Sequence, residues 1–253
     1  MKRTGVRRDF PQAKQTFMKR LVTYLIFILL LPTFSYAAET ESICYGSTAH
    51  GRLTGGVSLP EEGPNFRSYS GLGNLLGRTY VHSAVRDVVL NTYSNLEKNH
   101  TEKVFVYGET GMKNGGSFKP HKTHQNGLSV DFMVPVVDRD NRSVYLPTGP
   151  LNKYGYSMEF DEEGRYKTYR TDFEAIGAHI VELHRESIRS GSCLGIWRVI
   201  YAPDLQTHLF DTEHGEYLKA NLSFSKKPSW VRHDEHYHVD FIVDCEPLSA
   251  WGK

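Results

Sequence analysis

His233-Asp-Glu-His236-Tyr-His238-Val-Asp-Phe-Ile-Val243 places three histidines within six residues and then enters an apolar, β-branched stretch. The alternation reads as a strand over 237–243. Successive side chains on a strand point to opposite faces, so His236 and His238 project to the same side.

A second dense stretch lies upstream: His121-Lys-Thr-His124-Gln-Asn-Gly127-Leu-Ser-Val-Asp131. Residues 128–134 alternate like a strand, with Asp131 on it and His124 in the loop before it. Gly127 permits a sharp turn that could bring His124 back over Asp131. Two such strands side by side would gather a His/Asp/His set with a spare histidine beside it. Three protein ligands with an open fourth position are the arrangement of a catalytic zinc site, whereas a structural zinc takes four ligands and usually cysteine. No cysteine lies near either motif.

Two residues stay open at this point. His121 reads as a loop residue, a support for the ligands or a substrate contact. Glu235 has the E-x-x-H spacing to His238 of a general base, but on a regular strand it would face away from it. The remaining histidines, 50, 82, 100, 179, 184, 208 and 214, have no ligand spacing and are expected on the surface or on helix faces.

Outward from the motifs, the apolar spacing predicts a helix over 79–97, a short strand over 104–107, and hairpins over 135–170. Thr171-Asp-Phe-Glu174 has capping-box spacing and opens a helix that stops at Gly191. A strand over 196–201 and a helical patch over 213–221 follow. Strands grouped with two main helices, without βαβ alternation, predict an α+β fold. Its sheet is expected to be mainly antiparallel, with flanking helices and the metal site on the sheet.

Three segments are expected along the chain. Residues 1–37 read as a secretory leader: Met18-Lys-Arg20, an apolar run over 21–34, then Ser35 and Ala37 as the small pair before cleavage. Arg7-Arg8 hints at twin-arginine export, but the apolar run starts a dozen residues later, and translation from Met18 is the simpler reading. The run is short for a membrane span of about 20 residues. Residues 38–78, rich in Gly, Ser and Pro, read as irregular. Residues 79–253 read as one domain carrying both histidine motifs.

The leader holds seven Lys/Arg and one Asp, so the mature chain keeps 23 basic and 28 acidic groups, a net of −5. Without basic clusters, that balance argues against nucleic-acid binding. In an exported chain, Cys44, Cys193 and Cys245 are disulfide candidates. Cys193 precedes the strand at 196–201 and Cys245 follows the strand at 237–243. If the two strands are antiparallel neighbours, the expected bridge is Cys193–Cys245, with Cys44–Cys245 as its rival.

The two motifs, His121-x-x-His124-x(6)-Asp131 and His233-x-x-His236-x-His238, resemble those of the penicillin-insensitive murein endopeptidase branch. That branch belongs to the lysostaphin, D-Ala-D-Ala metallopeptidase and hedgehog superfamily. The resemblance implies one zinc ion on His124, Asp131 and His238, with His236 as the catalytic histidine and His233 supporting it. It implies peptidoglycan peptide stems as partners, cut at D-Ala to diaminopimelate cross-links; the leader implies a periplasmic or secreted location. Two other readings stay open: a D-Ala-D-Ala dipeptidase or carboxypeptidase using Glu235, and a non-catalytic zinc-containing wall-binding protein. Oligomeric state is not legible.

Overall fold

The computed structural model describes residues 41–191, 194–229 and 231–252; the expected leader and Cys193 lie outside them. The chain opens with a hairpin, β1 (Ile43–Ser47) and β2 (His50–Thr54). There follow β3 (Val57–Ser58), β4 (Phe66–Ser68), helix α1 (Gly71–Leu75), β5 (Tyr80–Val81) and helix α2 (Ser83–Asn99). Next come β6 (Phe105–Tyr107), β7 (Ser129–Met133), β8 (Val136–Val137), β9 (Ser143–Val144), β10 (Arg165–Tyr166) and β11 (Tyr169–Thr171). Helix α3 (Phe173–Arg189), β12 (Gly195–Ile200), α4 (Gln206–Phe210), α5 (Gly215–Asn221) and β13 (His236–Ile242) complete the order.

The central sheet has the order β12-β13-β7-β6-β4. Its neighbours are antiparallel except β4 and β6, which run parallel. The expected mixed architecture with mainly antiparallel pairing is therefore present. Helices α2 and α3 pack on each other. Val85, Val88 and Val89 of α2 and Ile176, Ile180 and Leu183 of α3 are buried in the same core as Val130, Phe132, Tyr237, Val239 and Phe241. Burial of each such side chain contributes about 1.5–3 kcal/mol. Strand alternation sorts the chemistry: Tyr237, Val239 and Phe241 join that core, which leaves His236, His238 and Asp240 on the opposite face of β13.

Several local expectations need correction. The stretch 38–78 is not irregular where it is described, because β1 to β4 and α1 lie in it, and residues from 41 onward belong to one unit. The helix expected over 79–97 starts at Ser83, since Tyr80 and Val81 pair with Ser58 and Val57. Asp172, not Thr171, caps α3, its carboxylate accepting from the Ala175 amide at 3.1 Å. His82 and His179 are buried: His82 caps α2 by accepting from the Ala84 amide, and His179 sits in the core among Phe105, Phe132 and Tyr237.

The expected Cys193–Cys245 bridge is overturned, because Cys245 is bonded to Cys44. The strand argument behind it holds, for Gly195 does lie opposite Ile242. Beyond Ile242, however, the chain leaves the sheet and runs beside β1. Gly46 N–H donates to Glu246 O and Glu246 N–H donates to Cys44 O, each at 2.9 Å. That pairing brings the Cα atoms of Cys44 and Cys245 to 4.8 Å, within bridging range.

Candidate metal centre and cleft

Asp131 of β7 lies directly opposite His238 of β13 in the antiparallel ladder. A cross-strand pair shares a face, and here the side chains meet: His238 Nδ1 is 2.9 Å from Asp131 Oδ1. His236, two residues earlier on the same face, holds Nε2 3.7 Å from Asp131 Oδ2.

His124 arrives from the loop before β7 in a left-handed conformation, φ +65°. The turn behind it needs Gly127, also left-handed, where a Cβ would stand 2.7 Å from Leu53 Cδ2 and 2.8 Å from the His82 amide nitrogen. His124 Nδ1 is 2.9 Å from the Thr110 carbonyl, so the ring proton sits there. Its Nε2 is buried, has no hydrogen-bond partner, and lies 3.3 Å from Asp131 Oδ1. A lone pair thus faces a carboxylate oxygen with no proton between them. Such an arrangement is costly unless a cation joins the two atoms.

The other imidazoles are pinned from behind in the same way. His238 Nε2 is 2.8 Å from Asp240 Oδ1, and Asp240 is held in turn by the Ser129 hydroxyl at 2.5 Å and by Arg198 at 2.7 Å. His121 Nε2 is 2.6 Å from Glu109 Oε2, leaving Nδ1 3.9 Å from Asp131 Oδ2. His236 Nδ1 is 3.0 Å from Glu235 Oε1, and the His233 ring tilts over His236 at 4.6 Å between centroids. With their outer nitrogens occupied, His121, His236 and His238 turn the other nitrogen towards Asp131.

Electrostatics follow from this packing. Burial opposes charge on Asp131, yet the charge of His236 and the hydrogen bond from His238 hold its carboxyl well below the usual range. Burial likewise lowers His238, but Asp240 and Asp131 outweigh it and push the ring up to about 10. Glu109, despite burial, is held down to about 2 by His121 and Arg78. Burial, then His236, brings His233 down to about 4.

The nitrogen and oxygen donors suit a metal such as zinc. Ligand atoms of His121, His124 and Asp131 all fall within 4.8 Å of one another. His121 therefore stands as a rival to His238 for the third place, although His238 lies closer to Asp131. Glu235 corrects the sequence expectation: it precedes β13 instead of lying on it, and it lines the same cleft as His236 and His238. Asp240, Glu109 and Tyr156 were not singled out from sequence. Asp240 was readable, since it lies two residues beyond His238 on one strand face, but Glu109 and Tyr156 reach the site only through tertiary packing. The Tyr156 hydroxyl is 3.0 Å from Asp131 Oδ2.

A cleft of about 590 Å³ opens over these groups. Leu72, Leu76 and Tyr154 line it together with Ser229 and Val231. It is large enough for a short peptide, with apolar walls and polar groups converging at its floor. Among the described residues, no helix is long and apolar enough to cross a membrane.

No curated protein matches the chain at a significant level. The family description does match, and over nearly the whole described unit: the penicillin-insensitive murein endopeptidase profile covers residues 44–249, both histidine motifs and the cleft between them included. By that match the chain belongs to the penicillin-insensitive murein endopeptidase family, whose members are hydrolases of the bacterial wall.

Proposed function

We propose that this protein is an exported zinc peptidase that hydrolyses D-Ala to diaminopimelate cross-links in peptidoglycan. His124, Asp131 and His238 would hold the ion. The observation that carries the reading is the buried, unpartnered Nε2 of His124 facing Asp131 Oδ1. When bound, zinc supplies Lewis-acid polarisation of the scissile carbonyl and lowers the pKa of the attacking water.

The protein's own groups supply the rest. His236 rests its Nδ1 on Glu235 and turns Nε2 into the cleft, where it can take a proton from the water and pass it to the departing amine. Burial disfavours charge on this ring, but Glu235 and Asp131 outweigh it and raise its pKa, which favours the proton it takes from the water. His233, kept neutral by burial, packs on His236 and fixes its plane. The apolar walls exclude water and orient the peptide.

A second reading, an exopeptidase with Glu235 as base, is favoured by one observation: the Glu235 carboxylate lines the cleft. Incubating the purified protein with intact sacculi tests both. Release of uncross-linked muropeptides, abolished by a chelator and restored by zinc, supports the endopeptidase. Loss of a terminal D-Ala alone would favour the exopeptidase. Binding to sacculi without any released product would overturn catalysis altogether.

A further inference from the structure

Tyr156 stands outside both histidine motifs, yet its hydroxyl meets the centre of the site. It lies 2.8 Å from the Glu109 backbone nitrogen and 3.0 Å from Asp131 Oδ2. A phenol has one proton to give. The Glu109 N–H can only donate, so it donates to the phenol oxygen, and the phenol's own proton is directed to Asp131. This leaves Asp131 Oδ1 turned towards His124 Nε2 and His238 Nδ1, at 3.3 and 2.9 Å.

The approach is built into the backbone on both sides. Opposite the phenol lies Gly108, where a Cβ would stand 2.6 Å from the Tyr156 oxygen and 3.0 Å from Asp131 Cβ. Leading into Tyr156, Lys153 and Tyr154 both adopt left-handed conformations, φ +50° and +58°, which non-glycine residues rarely hold. Asn152 clamps them: its side-chain oxygen accepts from the Gly149 and Gly155 amides at 2.9 Å, and its amide donates to Pro147 O at 2.7 Å. Strained segments persist when the surroundings over-determine them, and they cluster at functional sites.

We infer that Tyr156 is a positioning residue for the metal site: its hydroxyl locks the rotation of the Asp131 carboxylate, so that one oxygen is kept for the ion. The inference rests on the metal reading above. It concerns a residue that acts through Asp131 and need not touch the substrate.

The test is metal affinity, measured by competition between the protein and a chromophoric zinc chelator. For Tyr156→Phe the expected result is 10–100-fold weaker zinc binding, the usual cost of losing a group that orients a ligand. The circular dichroism of the metal-free protein should stay unchanged, and the cobalt-loaded variant should show altered ligand-field bands. Asn152→Ala, which keeps the hydroxyl and loosens its clamp, should weaken binding in the same direction; it decides the matter if Tyr156→Phe fails to fold. Affinity within twofold of wild type in the folded variants would overturn this inference alone. A wild-type protein that binds no zinc would overturn the metal reading as well.

Discussion

His238 Nε2 lies 2.8 Å from the buried carboxylate of Asp240, two residues further along the same strand. The contact fixes which proton the ring can lose: the one held between Nε2 and Asp240 stays, so a metal arriving beside Asp131 displaces the one on Nδ1. Asp240 itself is kept ionised against burial by His238, Ser129 and Arg198.

Replacing that carboxylate should loosen the site. Asp240→Asn offers His238 an amide that can donate to Nε2 and push the proton to Nδ1. Zinc affinity is expected to fall 10–100-fold, as for other partners of ligating histidines. Isothermal titration of the metal-free protein checks it, and unchanged affinity would show that Asp240 serves only the fold.

Metal content and hydrolysis should separate at neighbouring positions. His124→Ala, Asp131→Ala and His238→Ala should each lose the stoichiometric ion, whereas His236→Ala should retain it. Hydrolysis by His236→Ala should drop by at least the 10²–10⁴-fold that general acid–base groups contribute. A dead Glu235→Ala beside an active His236→Ala would transfer the base role to Glu235. Metal analysis paired with muropeptide release reads both.

Acid should destabilise the protein partly through His179. Burial brings this ring down to about 3, well under its value in an unfolded chain. The unfolded state therefore takes the proton first. Stability is fully present above about pH 6.5 and is lost as pH falls from there towards 3. The window corresponds to on the order of 5 kcal/mol for this group. His179→Leu deprives the Tyr237 hydroxyl of its partner at 2.7 Å and should be less stable at pH 7.5. Its urea midpoint should nevertheless decline less steeply between pH 6.5 and 4. An unchanged slope would exclude His179 as a source of acid sensitivity.

The Cys44–Cys245 bond closes a separation of 201 residues. Loop-closure entropy puts its stabilisation at up to about 5 kcal/mol, and measured losses for native bridges run about 2–5 kcal/mol. The double Ser variant should fall in that range by denaturant unfolding. Non-reducing peptide mapping should yield one cross-linked peptide carrying Cys44 and Cys245, with Cys193 alkylated.

Legibility followed the range of the interactions. Residues 236–242 and 129–133 were readable as strands because alternation is local. Their spacing also suffices to put His236 and His238 on one face. Tyr80 and Val81 fit the helical period of the apolar residues at 84, 85, 88 and 89, while their real partners, Ser58 and Val57, are remote in sequence. The cysteine pairing failed for a similar reason. It depended on where the chain goes after β13, and that is settled by backbone pairing of Glu246 with the first hairpin. Glu109 and Tyr156 carried no signal in spacing, since each reaches His121 or Asp131 from a loop outside both motifs.

The pairing of Gly46 with Glu246 makes the folded unit topologically a ring. Its two ends are neighbours, so the place where the chain begins is independent of how the cleft is assembled. A circular permutant could join those ends through a short linker and open at the exposed β8–β9 turn near Asn141. Translated in that order, the ribosome would deliver His236 and His238 before His124 and Asp131. Ladder register, not reading order, would still bring Asp131 opposite His238.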